Sequence, residues 1–324
     1  MKQEFTVKEG RVVQAAPGEG TVRVYGAPTD EERREILATT GIDGYTLASV
    51  LDPEEIPRVE VEDDYLLLIW KRPTPAMFRE GQAFRVSSMG ALLHQGRLTF
   101  ITADEAPDLG RVRTRSIDSL NELLLRELLS TVRHFSEHLR VIQEIARDIQ
   151  RKLNASIGNE HLLRMFALTE GLIYYLTAVE GNGGALGRLK ASSDRLKCSE
   201  EDQRILEDLI IENAQCARQA AIYSDVLSSL MDARGAIINN NMNVLLRNLT
   251  LINVVFLPLG VLASVGGMSE FTMMTGSARD MHGPPWWVTY PAFLLVLALI
   301  GFVTWWLLRR WMERTMGRSF PPNP

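Results

Sequence analysis

Hydrophobic and polar positions fall into three textures along the chain. Up to about residue 115, apolar residues come in short runs at 21–25, 65–70, 89–93 and 97–101, with Gly18-Glu19-Gly20 and Gly81 among the turn residues between them. Runs of this length bounded by glycine predict strands. Residues 30–38 predict a short helix capped by Thr29 or Asp30, and Leu51-Asp52-Pro53-Glu54-Glu55 predicts a turn and a helix start. From about Ser116 glycine and proline thin out, and Leu, Ile, Arg and Glu recur at helical spacing. That spacing predicts one helix over 116–153, a break over 154–159, and a second helix over 160–190 that is interrupted or weakened at Gly181-Asn182-Gly183-Gly184. The third texture is a pair of charge-free runs. One spans 248–269 and the other ends before Arg309-Arg310. Each is about 20 residues or a little more, enough for a helix to cross a bilayer core.

Ser199-Glu200-Glu201-Asp202 has the form of an N-terminal cap with an acidic first turn. From it the helical pattern continues without proline to Pro258, which predicts a helix of roughly 65 residues and about 100 Å entering the first apolar run. Positions spaced alternately by 3 and 4 share one face of a helix. Here they read Asp232, Asn239, Asn243, Leu246, Thr250, Asn253, Leu257, Gly260, Ser264 and Gly267. Amides and hydroxyls are costly against lipid, so this face should meet protein or water. The whole stripe reads as a pore lining; the alternative for any single residue is a helix–helix hydrogen bond. Two spans cannot enclose a pore, so copies of the first must surround an axis, which implies a cyclic homo-oligomer.

Composition adds topology. The chain has 324 residues and a net charge of −5, with no sign of nucleic-acid binding. Its N-terminus lacks the apolar core of a cleavable secretory signal. Arg247 precedes the first run, and Arg309, Arg310, Arg314 and Arg318 follow the second. This bias predicts both termini in the cytoplasm and the intervening loop outside. Cys198 and Cys216 should be free thiols. His134 and His138 stand four apart on a helix, but outside any metal-hydrolase frame, and are expected on a solvated face. No phosphate-cradling glycine loop or catalytic triad is visible, so no enzyme and no cofactor are expected. A membrane potential of about 100 mV would supply about 4–5 kcal/mol to a divalent ion, enough for passive uptake.

Phe256-Leu257-Pro258-Leu259, Ala263 and Gly267-Met268 resemble the first membrane helix of the CorA-type divalent cation transporters, a family that includes the zinc-transporting ZntB branch. Leu230-Met231-Asp232, the Asn-rich segment 239–243, the segment from Leu51 to Arg58, Glu62-Asp63-Asp64-Tyr65-Leu66 and the second apolar run with its basic tail also match. The resemblance implies a funnel-shaped homopentamer: an α/β cytoplasmic domain over 1–115, a helical hairpin over 116–198, and a stalk helix continuing into the first transmembrane helix over 199–266. A loop over 267–285, a second transmembrane helix over 286–308 and a basic tail over 309–324 complete it. It also implies a place in the inner or plasma membrane, with divalent cations (Mg²⁺, Zn²⁺, Co²⁺ or Ni²⁺) as substrate and possible regulator. By position, Gly267 and Met268 fill the first two places of the family's Gly-Met-Asn entrance. Asn243 matches a polar ring, Leu246 an apolar constriction and Asp232 an acidic ring. Asp208 matches a metal-sensing carboxylate whose partner, Glu80, would come from a neighbouring subunit.

Two departures concern the ion. Ser269 replaces the entrance Asn, and Gly266 replaces the preceding aromatic. Mg²⁺ gives up its water reluctantly, so amide and carbonyl rings can hold it through its hydration shell. Serine offers an oxygen on a shorter arm. Glu270 could restore attraction as a ring of charge, or be a solvated loop residue. His282, Met273 and Met274 read as interfacial packing rather than soft-metal ligands. Two functions stay open: a divalent cation channel or transporter, and a non-conducting scaffold of the same family with a structural or regulatory role.

Overall fold

Tyr65-Leu66-Leu67-Leu68-Ile69-Trp70 is apolar without alternation, which suits a strand covered on both faces. It forms an inner strand, next to one edge, of a seven-stranded sheet. The computed structural model describes residues 2–62, 64–74, 84–107, 109, 117–153, 159–193, 198–266 and 286–316. Its strands are β1 (Lys2–Lys8), β2 (Arg11–Gln14), β3 (Val22–Gly26), β4 (Arg58–Val61), β5 (Tyr65–Pro73), β6 (Val86–His94) and β7 (Arg97–Thr102). They lie in the order β2-β1-β3-β7-β6-β5-β4. Only β3 and β7 pair in parallel; the other neighbours are antiparallel.

The helices are α1 (Asp30–Thr40), α2 (Gly44–Leu51), α3 (Leu120–Leu153), α4 (Asn159–Ala191), α5 (Glu200–Gly266) and α6 (Trp286–Met316). The chain divides into two units, Met1–Asp232 and Ala233–Pro324. In the first unit, each face of the sheet has its own core. Leu67 and Ile69 of β5 join Tyr25, Leu92 and Ile101 under α1 and α2. Leu66, Leu68 and Trp70 join Val24, Met89 and Phe100 under α3, α4 and the first part of α5. The two-residue period of the strand sorts one apolar run into two cores.

Several expectations hold at the level of elements. Thr29 caps α1 in a complete capping box with Glu32, and Gly41 ends it in the left-handed conformation. The four anticipated strands are β3, β5, β6 and β7. Others change. Leu51-Asp52-Pro53 ends a helix instead of starting one: Asp43 Oδ1 accepts from the Thr46 N–H at 2.7 Å, so α2 begins at Gly44. α3 starts at Leu120, not 116, because Ser119 Oγ accepts from the Glu122 N–H at 2.9 Å. α4 is unbroken across its glycines. Gly171 and Gly181 let it sit against Phe84 and Pro57, where an added Cβ would come within 2.9 Å of either. The residue among those glycines, Asn182, is fully buried and exchanges two hydrogen bonds with the Lys71 backbone, at 2.9 and 2.8 Å. His138 is not on a solvated face. It is buried, 2.6 Å from the Tyr175 hydroxyl and edge-on to His134. Cys198 and Cys216 are free thiols, and burial raises the pKa of both.

Glu4 on β1 carries a pH prediction. Its buried carboxylate accepts from the Gly18 N–H at 2.6 Å and the Gly20 N–H at 3.3 Å, and it pairs with Lys2 at 2.8 Å. Burial pushes the carboxyl up, but the Lys2 ammonium and the two backbone donors outweigh it and hold the group below its ordinary value of 4.5. A depressed folded value means stability that is full above the unfolded pKa and is lost as pH falls through the folded one. Glu4→Gln should therefore cost about 1.5–3 kcal/mol near neutrality. The difference from the parent should shrink below the ordinary value of 4.5. Thermal melts across that range check it; a gap that does not change with pH would remove the charge from the account.

Candidate functional site

The candidate face is carried by α5. Ser199 and Asp202 cap its start reciprocally: Ser199 Oγ accepts from the Asp202 N–H at 3.1 Å, and Asp202 Oδ2 accepts from the Ser199 N–H at 2.9 Å. Acidic residues at 200, 201 and 202 suit the positive end of a helix dipole. In the first unit α5 buries Ile205, Leu206, Leu209, Cys216, Ala220 and Leu227. Asp208 and Asp232 stay exposed on it.

In the second unit α5 is apolar and long enough to cross a bilayer, and none of its most apolar stretch is buried. Asn239, Asn243, Leu246, Thr250, Asn253, Leu257, Gly260 and Ser264 are all exposed. The less exposed positions here are Arg247, Leu251, Val255 and Leu259, one residue every helical turn. At about 100° per residue this ridge lies roughly 150° round the helix from the centre of the polar stripe. α6 meets α5 on the ridge: an added Cβ at Gly301 would come within 3.0 Å of Leu259 Cδ1. Thus α6 leaves the polar face of α5 uncovered. A small residue at such a contact lets two apolar helices approach closely. This contact was missed in reading the sequence, although Gly301 in an otherwise bulky run was its signal.

Two hydroxyls on the stripe have a fixed polarity. Thr250 Oγ1 donates to the Leu246 carbonyl at 2.9 Å, and Ser264 Oγ donates to the Gly260 carbonyl at 2.9 Å. Their protons point back into the helix, so the oxygens turn lone pairs outward, as a cation requires. Asn253 adds an amide at the level next to Thr250, and Asn243 adds another below Leu246. The helix continues through Pro258. Repeats of seven link residues 239, 246, 253 and 260, and also 243, 250, 257 and 264. Seven residues fall about 20° short of two full turns in a straight helix, an offset that a left-handed supercoil removes.

Gly267, Met268, Ser269, Glu270 and Glu80 lie outside the described residues. Among the described residues, no three His, Cys, Asp or Glu side chains gather into a set able to hold a metal ion. The second apolar run forms the 31-residue α6, within which Pro291–Leu307 is the apolar stretch. α6 extends beyond the expected end at 308, to Met316.

Residues 24–310 match the family described as CorA-like Mg2+ transporter protein. The chain is 28% identical over 238 residues to the cobalt/magnesium transport protein CorA of Methanocaldococcus jannaschii, covering 71% of this chain and 73% of that one. Its fold is similar to the complete structure of the CorA magnesium transporter from the same organism. The TM-score is 0.75 at 22% identity, over 95% of this chain and 96% of the other. The full-length CmaX protein is also similar, with a TM-score of 0.71 at 13% identity, over 95% and 96%.

Proposed function

The chain belongs to the CorA-like Mg2+ transporter family, and on that premise we propose that it moves divalent cations across a membrane through a pore lined by α5. The observation that carries this reading is the exposed stripe from Asn239 to Ser264, on the side of α5 away from its α6 contact. A lone chain leaves these oxygens facing outward, so they need a wet lumen, and a ring of identical helices supplies one. In this reading the protein is a homopentamer with both termini in the cytoplasm, and α6 is the second span, on the outside of the ring. Gly267, Met268 and Ser269 form the entrance, and Glu270 adds charge at its mouth. Asn243, Leu246, Thr250, Asn253, Leu257, Gly260 and Ser264 line the path, and Asp232 forms an acidic ring beyond it. Asp208 and a neighbouring subunit's Glu80 form a regulatory metal site. Mg²⁺ and Co²⁺ are the first ions to test, in line with the cobalt/magnesium relative; Zn²⁺ and Ni²⁺ are the next.

The test is uptake into proteoliposomes holding an ion-sensitive dye, driven by an inside-negative potential. Flux of Mg²⁺ or Co²⁺ well above protein-free vesicles is expected. No flux of any divalent ion would leave the non-conducting scaffold, a reading favoured by Ser269 in the entrance Asn position. The same assay reads the entrance. Glu270→Gln should lower uptake of Mg²⁺ and Zn²⁺ several-fold at low ionic strength and less at high salt, since exposed attraction is screened over about 8–10 Å. Ser269→Asn should raise the preference for Mg²⁺ over Zn²⁺. If Glu270→Gln matches the parent at low salt, Glu270 is an ordinary surface residue.

A further inference from the structure

The end of α6 has a chemistry that the pore does not use. Residues 286–308 contain no Asp, Glu, Lys or Arg, and then Arg309 and Arg310 follow together. Each guanidinium lies over an indole one turn back. Arg309 Cζ is 5.4 Å from the Trp305 ring centroid, and Arg310 Cζ is 5.0 Å from that of Trp306. Both indoles are 44% exposed. Trp286 and Trp287 occupy the first turn of the same helix, 19 residues before Trp305 and Trp306. At 1.5 Å per residue the two tryptophan pairs stand about 28 Å apart, close to the thickness of a bilayer's hydrocarbon core. Tryptophan collects at both edges of that core.

The helix dipole does not explain these arginines. α6 continues to Met316, so they lie before its last turn. The side of the helix they occupy is also informative. Phe293, Leu297, Gly301 and Thr304 form its less exposed ridge, and Gly301 is the contact with Leu259 of α5. At about 100° per residue, Trp306 and Arg310 lie roughly 160° round from this ridge, and Trp305 and Arg309 about 100° round. Trp306 and Arg310 therefore point away from α5, and Trp305 and Arg309 lie to the side of it. A guanidinium carries its N–H donors in one plane, in a fork that matches the oxygens of a phosphate. The indole body meanwhile suits the boundary between acyl chains and headgroups.

We propose that Trp305–Arg309 and Trp306–Arg310 form a binding collar for the phosphate headgroups of anionic phospholipids at the cytoplasmic edge of the membrane. In a ring of subunits the collar repeats around the outer surface. Bound anionic lipid then fixes the depth of α6, and through the Leu259–Gly301 contact it braces the back of α5. The inference rests on the membrane placement proposed above and is independent of the ion carried.

Full-length protein in a non-ionic detergent, titrated with phosphatidylglycerol or phosphatidylcholine and read by native mass spectrometry, tests it. The parent should retain phosphatidylglycerol preferentially, and the preference should weaken as salt rises. At about fivefold per charge, R309Q/R310Q should reduce it roughly 25-fold. R309K/R310K keeps the charge but loses the planar fork, and should fall between the two. Equal retention of both lipids by the parent, or a preference for phosphatidylglycerol unmoved by salt, overturns the proposal even if the glutamine variant fails to fold. A glutamine variant that keeps the lipid preference but falls apart into smaller oligomers also overturns it, assigning the arginines to a neighbouring copy. A protein that leaves membranes without detergent would instead end the membrane placement itself.

Discussion

Asn253→Leu should cut divalent-cation flux tenfold or more while leaving folding and assembly intact. Asn253 is exposed at the centre of the polar stripe, with Thr250 and Leu257 beside it. An amide oxygen held toward a hydrated divalent ion makes a hydrogen bond to a charged partner, worth about 1.5–3 kcal/mol. Each 1.4 kcal/mol off a barrier is about tenfold in rate, so loss of one contact already predicts a ten- to hundredfold fall. The substitution also fills the lumen with methyl groups, several times over in a ring. Val254→Leu is the control. It is one residue on, about 100° round the helix, and it adds a similar bulk outside the stripe. Flux measured in proteoliposomes should fall far more for the first variant than for the second. Equal losses would take the pore off this face of α5.

Asn182→Leu should cost the first unit about 3–5 kcal/mol, the sum of two buried backbone groups left without partners. The reason lies at the sheet edge. β4 begins at Arg58, opposite Ile69 of β5. The next outward-facing backbone pair on β5, that of Lys71, has no strand beside it. Asn182 reaches down from α4, with its Oδ1 accepting from the Lys71 N–H and its Nδ2 donating to the Lys71 carbonyl. A side-chain amide thus takes the place of a strand residue. The Lys71 side chain is buried in turn, donating to the Pro53 carbonyl and to Ser88 Oγ, and burial lowers its pKa. Denaturant titration of the full-length protein should show the loss as an earlier first transition. A change within about 0.5 kcal/mol, typical of a surface site, would mean that the sheet edge re-forms without the amide.

These two sites show what the sequence made legible. Amphipathic and capped elements were readable because their signals are local: Thr29 with Glu32, Ser199 with Asp202, and the unbroken apolar run of β5. The hairpins β1–β2 and β6–β7 were harder. Their turns, Glu9-Gly10 and Gln95-Gly96, place a non-glycine residue at positive φ, where Asn or Asp is the usual signal. α4 was misread at its glycines because the benefit of a small residue there comes from Phe84 and Pro57, distant in sequence. His138 was misread for the same reason, since only the fold brings Tyr175 and Phe84 to it. The polar stripe was readable as a stripe. The pattern alone does not say which side of α5 its partner helix covers, and the contact of Gly301 with Leu259 on the opposite side adds what it lacked.

Pro258 gives α5 a mechanical weak point. It has no N–H, so the Val254 carbonyl loses its donor within the helix, and the ring crowds that turn. Elsewhere in its span α5 resists bending through an unbroken ladder of hydrogen bonds. Ser264 lies six residues beyond the proline, about 9 Å along the axis. A bend of about 10° at Pro258 would carry it sideways by roughly 1.5 Å while residues 239–253 stay in line. In a ring of helices that sideways movement is a change of radius at one end alone. In the proposed pore such a bend would widen or narrow the outer mouth as a hinge opens, with no change in bore at Asn243 and Leu246.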